Sequence, residues 1–220
     1  MKMFIDCGTA NFSGLIHFNT LYLFTPANYK IYCFEANPIT YKSYPIPNKL
    51  KHLNIEHKNL AVSNETGEVT VNCCEVEHDN LSRYPLYARG IYRLRFALAK
   101  LLGKYPAFTA QGSNILTKPP ASDGDSKFKY VKYEVGSVRL SDFILENKDE
   151  YEQIIIKMDI EGAEFAVLDD LIANNSYKYI NKMYCEFHER FFDKPDLYTE
   201  KKETYKALFN EVGCEIVEWR

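Results

Sequence analysis

The chain has 220 residues, 46% of them apolar and 26% charged, which is the composition of an ordinary globular protein and enough chain for a self-supporting α/β domain. A formal net charge of −3 argues against broad nucleic-acid binding, which needs a basic surface to displace counterions. The six cysteines make no Cys-x-x-Cys pair, which excludes zinc-ligand spacing, and they read as small hydrophobes in a reducing compartment.

The N-terminal run MKMFIDCG is too short and too soon interrupted by Asp6 for a signal peptide, and no stretch is long and uncharged enough to span a bilayer. A cytoplasmic location follows as the expectation. Met3–Cys7 reads as a buried strand turning at Gly8, and Ser13–Phe24 as a helix with Leu15, Phe18, Leu21 and Leu23 at helical spacing. Tyr29–Phe34 is a second buried strand, and Pro38 opens a helix or turn. Leu53–His57 is a third strand, and GEVTVN alternates as another after the turn at Glu65–Gly67. Residues 76–127 read as an insertion within a single domain spanning 1–220. Its basic, amphipathic part is Leu81–Tyr105, and its Gly, Ser, Pro and Asp-rich part is Gly112–Lys127. Lys129–Val135 is a strand and Ser141–Asn147 a short helix. Gln153–Met158 is a strand that is apolar but for Lys157, and Ala163–Ala173 is a helix. Asn181–Phe187 (strand), Glu200–Val212 (helix, stopped at Gly213) and Cys214–Trp219 (strand) complete the chain. Strands alternating with helices imply βαβ units, a mostly parallel open sheet and helices on both faces. In such sheets ligands sit outside the carboxyl ends of the strands.

Those ends carry the chemistry. In the Asp6–Gly14 loop, glycines let backbone approach a ligand, and the Asp6 carboxylate suits an amino or cationic group better than a phosphate. Glu35 ends the second strand, about twenty residues beyond the glycine loop, where a carboxylate can hold the hydroxyls of a ribose. Asp159, Glu161 and Glu164 cluster after the most apolar strand. Helix capping accounts for Glu164 but not for Asp159 and Glu161 together. By alternation Glu186 and His188 point to one side, beside which a histidine can serve as general base or metal ligand.

Taken together, FIDCG, FEANP, NLAVSNETGEVTV, VRLSDFI, IKMDIEGAEFAVL and CEFHE resemble, in order, the blocks of the FkbM-like S-adenosylmethionine-dependent methyltransferases, from Phe4 to Glu189. The IKMDIEGAE block is the most specific. The resemblance implies a Rossmann-like fold with Asp6, Gly8 and Asn11 around the methionine portion of the cofactor, Glu35 and Asn37 at the ribose, and Ala61 and Val62 near the adenine. Ser113, in what resembles a small-residue motif, joins the cofactor set. Asp159 would face the reaction centre, and Glu161, Glu186 and His188 the acceptor. The first loop departs from the family, because Thr9–Ser13 separate Gly8 from Gly14 where the family's second glycine comes sooner. The basic Leu81–Tyr105 segment has no family counterpart and takes the place of an acceptor-facing lid.

The implied activity is O-methylation of a sugar hydroxyl on a glycan, glycolipid or glycosylated metabolite, using S-adenosylmethionine. A weakly nucleophilic hydroxyl needs a base, here His188 with Glu186 or Glu161 orienting its imidazole, or a divalent ion such as Mg²⁺ or Mn²⁺ on Asp159, Glu186 and His188. Two other readings stay open: an RNA methyltransferase that uses the basic segment as its footprint, and a non-catalytic S-adenosylmethionine-binding module. The same segment, as a cationic amphipathic helix, would also suit peripheral contact with anionic lipid.

Overall fold

A computed structural model of the chain describes residues 1–76, 115 and 128–219. In chain order its elements are β1 (Lys2–Cys7), α1 (Ser13–Tyr22), β2 (Tyr29–Phe34), α2 (Pro38–Ser43), β3 (Ile55–Lys58), β4 (Ala61–Ser63), β5 (Gly67–Val76), β6 (Phe128–Arg139), α3 (Leu140–Asn147), β7 (Gln153–Met158), α4 (Glu164–Ala173), β8 (Lys182–Cys185), α5 (Pro195–Glu211) and β9 (Glu215–Glu218). Apart from Val76 and Ile115, the segment read as an insertion, with Leu81–Tyr105 and Ser113, lies outside the described residues.

Six strands form one sheet in the order β3-β2-β1-β7-β8-β9, and every neighbouring pair is parallel. The chain winds outward from β1 to β3 and then outward the other way from β7 to β9, so the winding reverses between β1 and β7. This is the doubly wound, Rossmann-like arrangement, with its ligand crevice at the reversal. Alternation along the two central strands divides the core. Met3, Ile5, Cys7, Ile154, Ile156 and Met158 face one side, packed with Leu140 and Ile144 of α3, Leu168 of α4 and Phe209 of α5. Phe4 and Ile155 face the other side, packed with Leu15 and Phe18 of α1. Strands covered on both faces read as unbroken apolar runs, which explains why β7 is the clearest strand in the sequence.

GEVTVN and the strand expected at Lys129–Val135 do not join this sheet. They pair with each other as antiparallel β5 and β6, and β4 adds parallel to β6 to complete a three-stranded sheet. β6 runs on to Arg139 because its far end pairs with both neighbours at once: Ser137 lies opposite Gly67 of β5 and Ala61 of β4. α1 ends at Tyr22, not Phe24, since Leu23 is left-handed (φ 49°) and turns its N–H back to the Asn19 carbonyl. Leu21, inside the helix but off its buried stripe, and Leu23, beyond its end, both assigned to the apolar face by spacing, are 56% and 73% exposed. α5 starts at Pro195, ahead of Glu200, because a proline in the first turn presets φ at a position whose N–H has no helical partner. No helix among the described residues is long and apolar enough to cross a membrane.

Candidate functional site

The reversal between β1 and β7 places two charges side by side. Asp6 and Lys157 are register partners on adjacent strands, at the last position before each strand's carboxyl end on the face of Phe4 and Ile155. Both are buried. Lys157 Nζ lies 3.3 Å from Asp6 Oδ1 and 3.5 Å from Asp159 Oδ2, and donates hydrogen bonds to the carbonyls of Gly8 (2.6 Å) and Cys7 (3.4 Å). Burial by itself would push the ammonium down, but the Asp6 and Asp159 carboxylates outweigh it and hold Lys157 above its ordinary value, hence charged. Asp6 is pushed up by burial and drawn back by Lys157, and among the described residues neither of its carboxylate oxygens accepts a hydrogen bond.

The loops at this edge are pinned to neighbouring strands. Gly8 and Thr9 both donate to the Phe34 carbonyl at 3.0 Å, Asp159 donates to Cys7 O at 3.1 Å, and Glu186 donates to Met158 O at 2.9 Å. Gly8 has φ 79°, and a Cβ there would fall 1.8 Å from the Asp159 carbonyl oxygen, so only glycine fits. Ala10 (φ 49°) and Phe12 (φ 66°) adopt the left-handed conformation in the loop that lacks the expected early glycine. Glu35 holds that conformation: its Oε2 accepts from Ala10 N and its Oε1 from Asn37 N, both at 2.8 Å.

Burial raises Glu35 to about 7 against those two hydrogen bonds, which lower it. The folded chain thus keeps a proton that the unfolded chain, at the ordinary value of 4.5, has already released. The folded state binds more protons in this window, so the Glu35 contribution to stability falls as pH rises through it. Wild type should therefore lose thermal stability from about pH 5 to about pH 7 relative to Glu35→Gln, which has no proton to release. Parallel melting curves for the two proteins over that range would refute this assignment.

Across the crevice, His188 is buried beyond β8. Its Nδ1 donates to Glu164 Oε1 at 2.9 Å, while its Nε2 faces Glu161 Oε2 at 3.4 Å and Glu186 Oε1 at 3.5 Å. The donor assignment follows from the company Glu164 keeps, since its oxygens also accept from Ile160 N and Gly162 N, each at 2.9 Å. Glu164 thereby fixes the Asp159–Gly162 loop and the imidazole together. Burial alone would lower His188, but the hydrogen bond to Glu164 and the charges of Glu164, Glu161 and Asp159 raise it above its ordinary value. Burial raises Glu161 and Glu186, with His188 opposing in both. One ligand atom each from Asp159, Glu161 and His188 lie within 4.8 Å of one another, a spacing that can hold a metal ion.

The Methyltransferase FkbM domain matches residues 6–207. The chain belongs to the FkbM methyltransferase family. No curated protein and no solved structure matches it.

Four of the six blocks that carried the resemblance, FIDCG, FEANP, IKMDIEGAEFAVL and CEFHE, fall at the carboxyl ends of β1, β2, β7 and β8, whereas NLAVSNETGEVTV lies on β4 and β5 and VRLSDFI on the end of β6 and α3. Asp6, Gly8, Glu35, Asp159, Glu161, Glu186 and His188 are all brought to this edge of the sheet. Asn11 and Asn37 act locally: Asn11 Oδ1 accepts from Ser13 N, and Asn37 Oδ1 caps α2 at Ile39 N and Thr40 N. Ala61 and Val62 are buried on β4, where Ala61 belongs to a small apolar cluster against which Ala36, next to Glu35, packs, and Val62 joins the main core. Glu164, Lys157 and Asn59 were not singled out as site residues. Asn59 donates from Nδ2 to the Glu35 and Ala36 carbonyls at 2.8 and 3.2 Å and sets the end of β2. Lys157 did leave a signal, because a lone cation in an apolar strand needs buried counter-charges.

Proposed function

We propose that this FkbM methyltransferase is an S-adenosylmethionine-dependent O-methyltransferase acting on a sugar hydroxyl of a glycan, glycolipid or glycosylated metabolite. The observation that carries the reading is the placement of His188, buried and oriented through Nδ1 by Glu164, with Nε2 turned toward the acidic loop at the reversal of the sheet. The cofactor's fit rests on the donor set: Asp6 offers buried carboxylate oxygens that accept no hydrogen bond among the described residues, and the surrounding carboxylates outnumber Lys157, which suits a ligand bearing ammonium and sulfonium charge. Glu35 and the backbone at Gly8 would hold its ribose and methionine ends.

When bound, S-adenosylmethionine supplies an electrophilic methyl group. His188 Nε2 takes the proton of the attacking hydroxyl, and Glu164 keeps the imidazole in the tautomer that makes Nε2 basic. Glu161 and Glu186 stabilise the imidazolium that results, as carboxylates 3.4 and 3.5 Å from the same nitrogen. Alignment of hydroxyl and methyl in a closed crevice contributes the rest.

The spacing of Asp159, Glu161 and His188 supports a second version in which these residues, with Glu161 in the place that the sequence reading gave Glu186, hold Mg²⁺ or Mn²⁺. Glu164 behind His188 would then be the partner that orients a metal-bound imidazole. Activity that survives exhaustive EDTA treatment rejects this version. The cofactor reading is tested by calorimetry with S-adenosylhomocysteine. Binding by wild type that is lost in an Asp6→Ala, Glu35→Ala double variant supports it, whereas no binding by wild type removes methyl transfer and leaves an interaction module.

A further inference from the structure

A cavity of about 710 Å³ lies between the small sheet and the start of α4, with the segment leading into α5 along its side. Its floor includes Gly162 and Ala163, so the loop that carries Glu161 toward His188 also forms part of this cavity. One wall is aromatic. Phe192 and Tyr198 stack with ring centres 3.7 Å apart and planes 16° apart, and Phe165 meets both edge-on. The lining also carries hydrogen-bonding groups: Asn64 and Glu68 at and after the β4–β5 turn, and Lys132 on β6. Among the described residues neither Glu68 nor Lys132 is in a salt bridge, whereas Lys201, on the same cavity, pairs with Asp169.

A pyranose ring has an apolar face of C–H groups and a rim of hydroxyls. It needs a flat aromatic surface on one side and mixed donors and acceptors at its edge, and both are present here. The charges are of both signs, which does not suit a polyanion. Pockets of about 300–1,000 Å³ hold drug-sized ligands, which in carbohydrate terms is a disaccharide rather than one ring.

We propose that this cleft is a saccharide subsite that holds the sugar units adjoining the methylated one. The acceptor is then an uncharged oligosaccharide chain, packed against the Phe192–Tyr198 pair and hydrogen-bonded by Glu68, Asn64 and Lys132. This rests on the sugar-hydroxyl reading above and adds to it the location and length of the acceptor.

The test is saturation-transfer NMR and calorimetry on the full chain with chitotetraose, maltotetraose and mannotetraose, followed in the same samples by S-adenosylhomocysteine. At least one tetrasaccharide should bind, and Tyr198→Ala and Glu68→Gln should each weaken it about three- to tenfold. Tyr198→Phe, which keeps the ring, should bind like wild type. Glu68 is exposed, so its variant tests the cleft even where Tyr198→Ala fails to fold. No binding of any tetrasaccharide, or binding indifferent to both Tyr198→Ala and Glu68→Gln, overturns the proposal. So does tighter binding of a single-stranded RNA that is lost in Lys132→Ala. S-adenosylhomocysteine binding without saccharide binding sinks the cleft but leaves methyl transfer standing, whereas the reverse keeps the cleft and removes methyl transfer.

Discussion

Lys157→Met should cost about 3–5 kcal/mol of folding stability, the penalty for removing one partner of a buried ion pair and leaving the other charge uncompensated. For a chain of this size that is a drop of about 6–20 °C in melting temperature. Methionine fills a similar volume, so the loss comes from charge and hydrogen bonding, not from a cavity. Asp6 would keep its carboxylate in the core without a counter-ion, and the Gly8 carbonyl would lose its 2.6 Å bond. The same change frees Asp159, so the two loops that meet across the crevice lose their common anchor. Asp6→Asn in the Lys157→Met background should recover part of the loss, because the stranded charge is then gone, and a double-mutant cycle would read that coupling. A Lys157→Met protein that melts within a couple of degrees of wild type would show that this pair carries no such weight.

The second large effect belongs to the His188–Glu164 pair. His188→Ala should lower kcat by about 10²–10⁴-fold, the range for removing a general base, while S-adenosylhomocysteine affinity stays near wild type. Glu164→Gln should be damaging although it is nearly isosteric. Glu164 accepts from His188 Nδ1, Ile160 N and Gly162 N, and a glutamine offers one oxygen and an N–H₂ group in place of two oxygens. At least one buried donor would then face another donor, at a cost of about 1–3 kcal/mol, and the imidazole would lose the partner that sets its tautomer. The expected signature is a fall in kcat with little change in KM, measured as transfer of labelled methyl to the saccharide acceptor. Wild-type kcat in Glu164→Gln would reduce Glu164 to a helix-capping role.

Much of this edge was legible because strand-end chemistry is local in sequence. Asp6, Glu35, Asp159, Glu161 and Glu186 each close an apolar run or directly follow one, and a doubly wound sheet brings such positions to one side. Glu164 was harder. Its position in the first turn of α4 already accounts for an acid there, so nothing in the sequence asks for a second partner; His188 arrives from a different strand. The helix-spacing argument for Leu21 and Leu23 failed as well. Leu15, Phe18 and Tyr22 pack on the sheet, but at 100° per residue Leu21 falls beside that stripe, and the left-handed Leu23 lies beyond the helix end.

The sequence by itself determined the alternation of strands and helices, the burial of the central strands on both faces, and family membership through IKMDIEGAE, since these depend on residue types at short spacing. Only the tertiary structure decided that β4, β5 and β6 leave the main sheet, that Lys157 answers Asp6 from the adjacent strand, and that Glu164 rather than Glu161 or Glu186 orients His188. Strand pairing and buried charge compensation join residues far apart in the chain. Their energies depend on which groups lose water together, and the order of residues does not state that before the sheet is assembled.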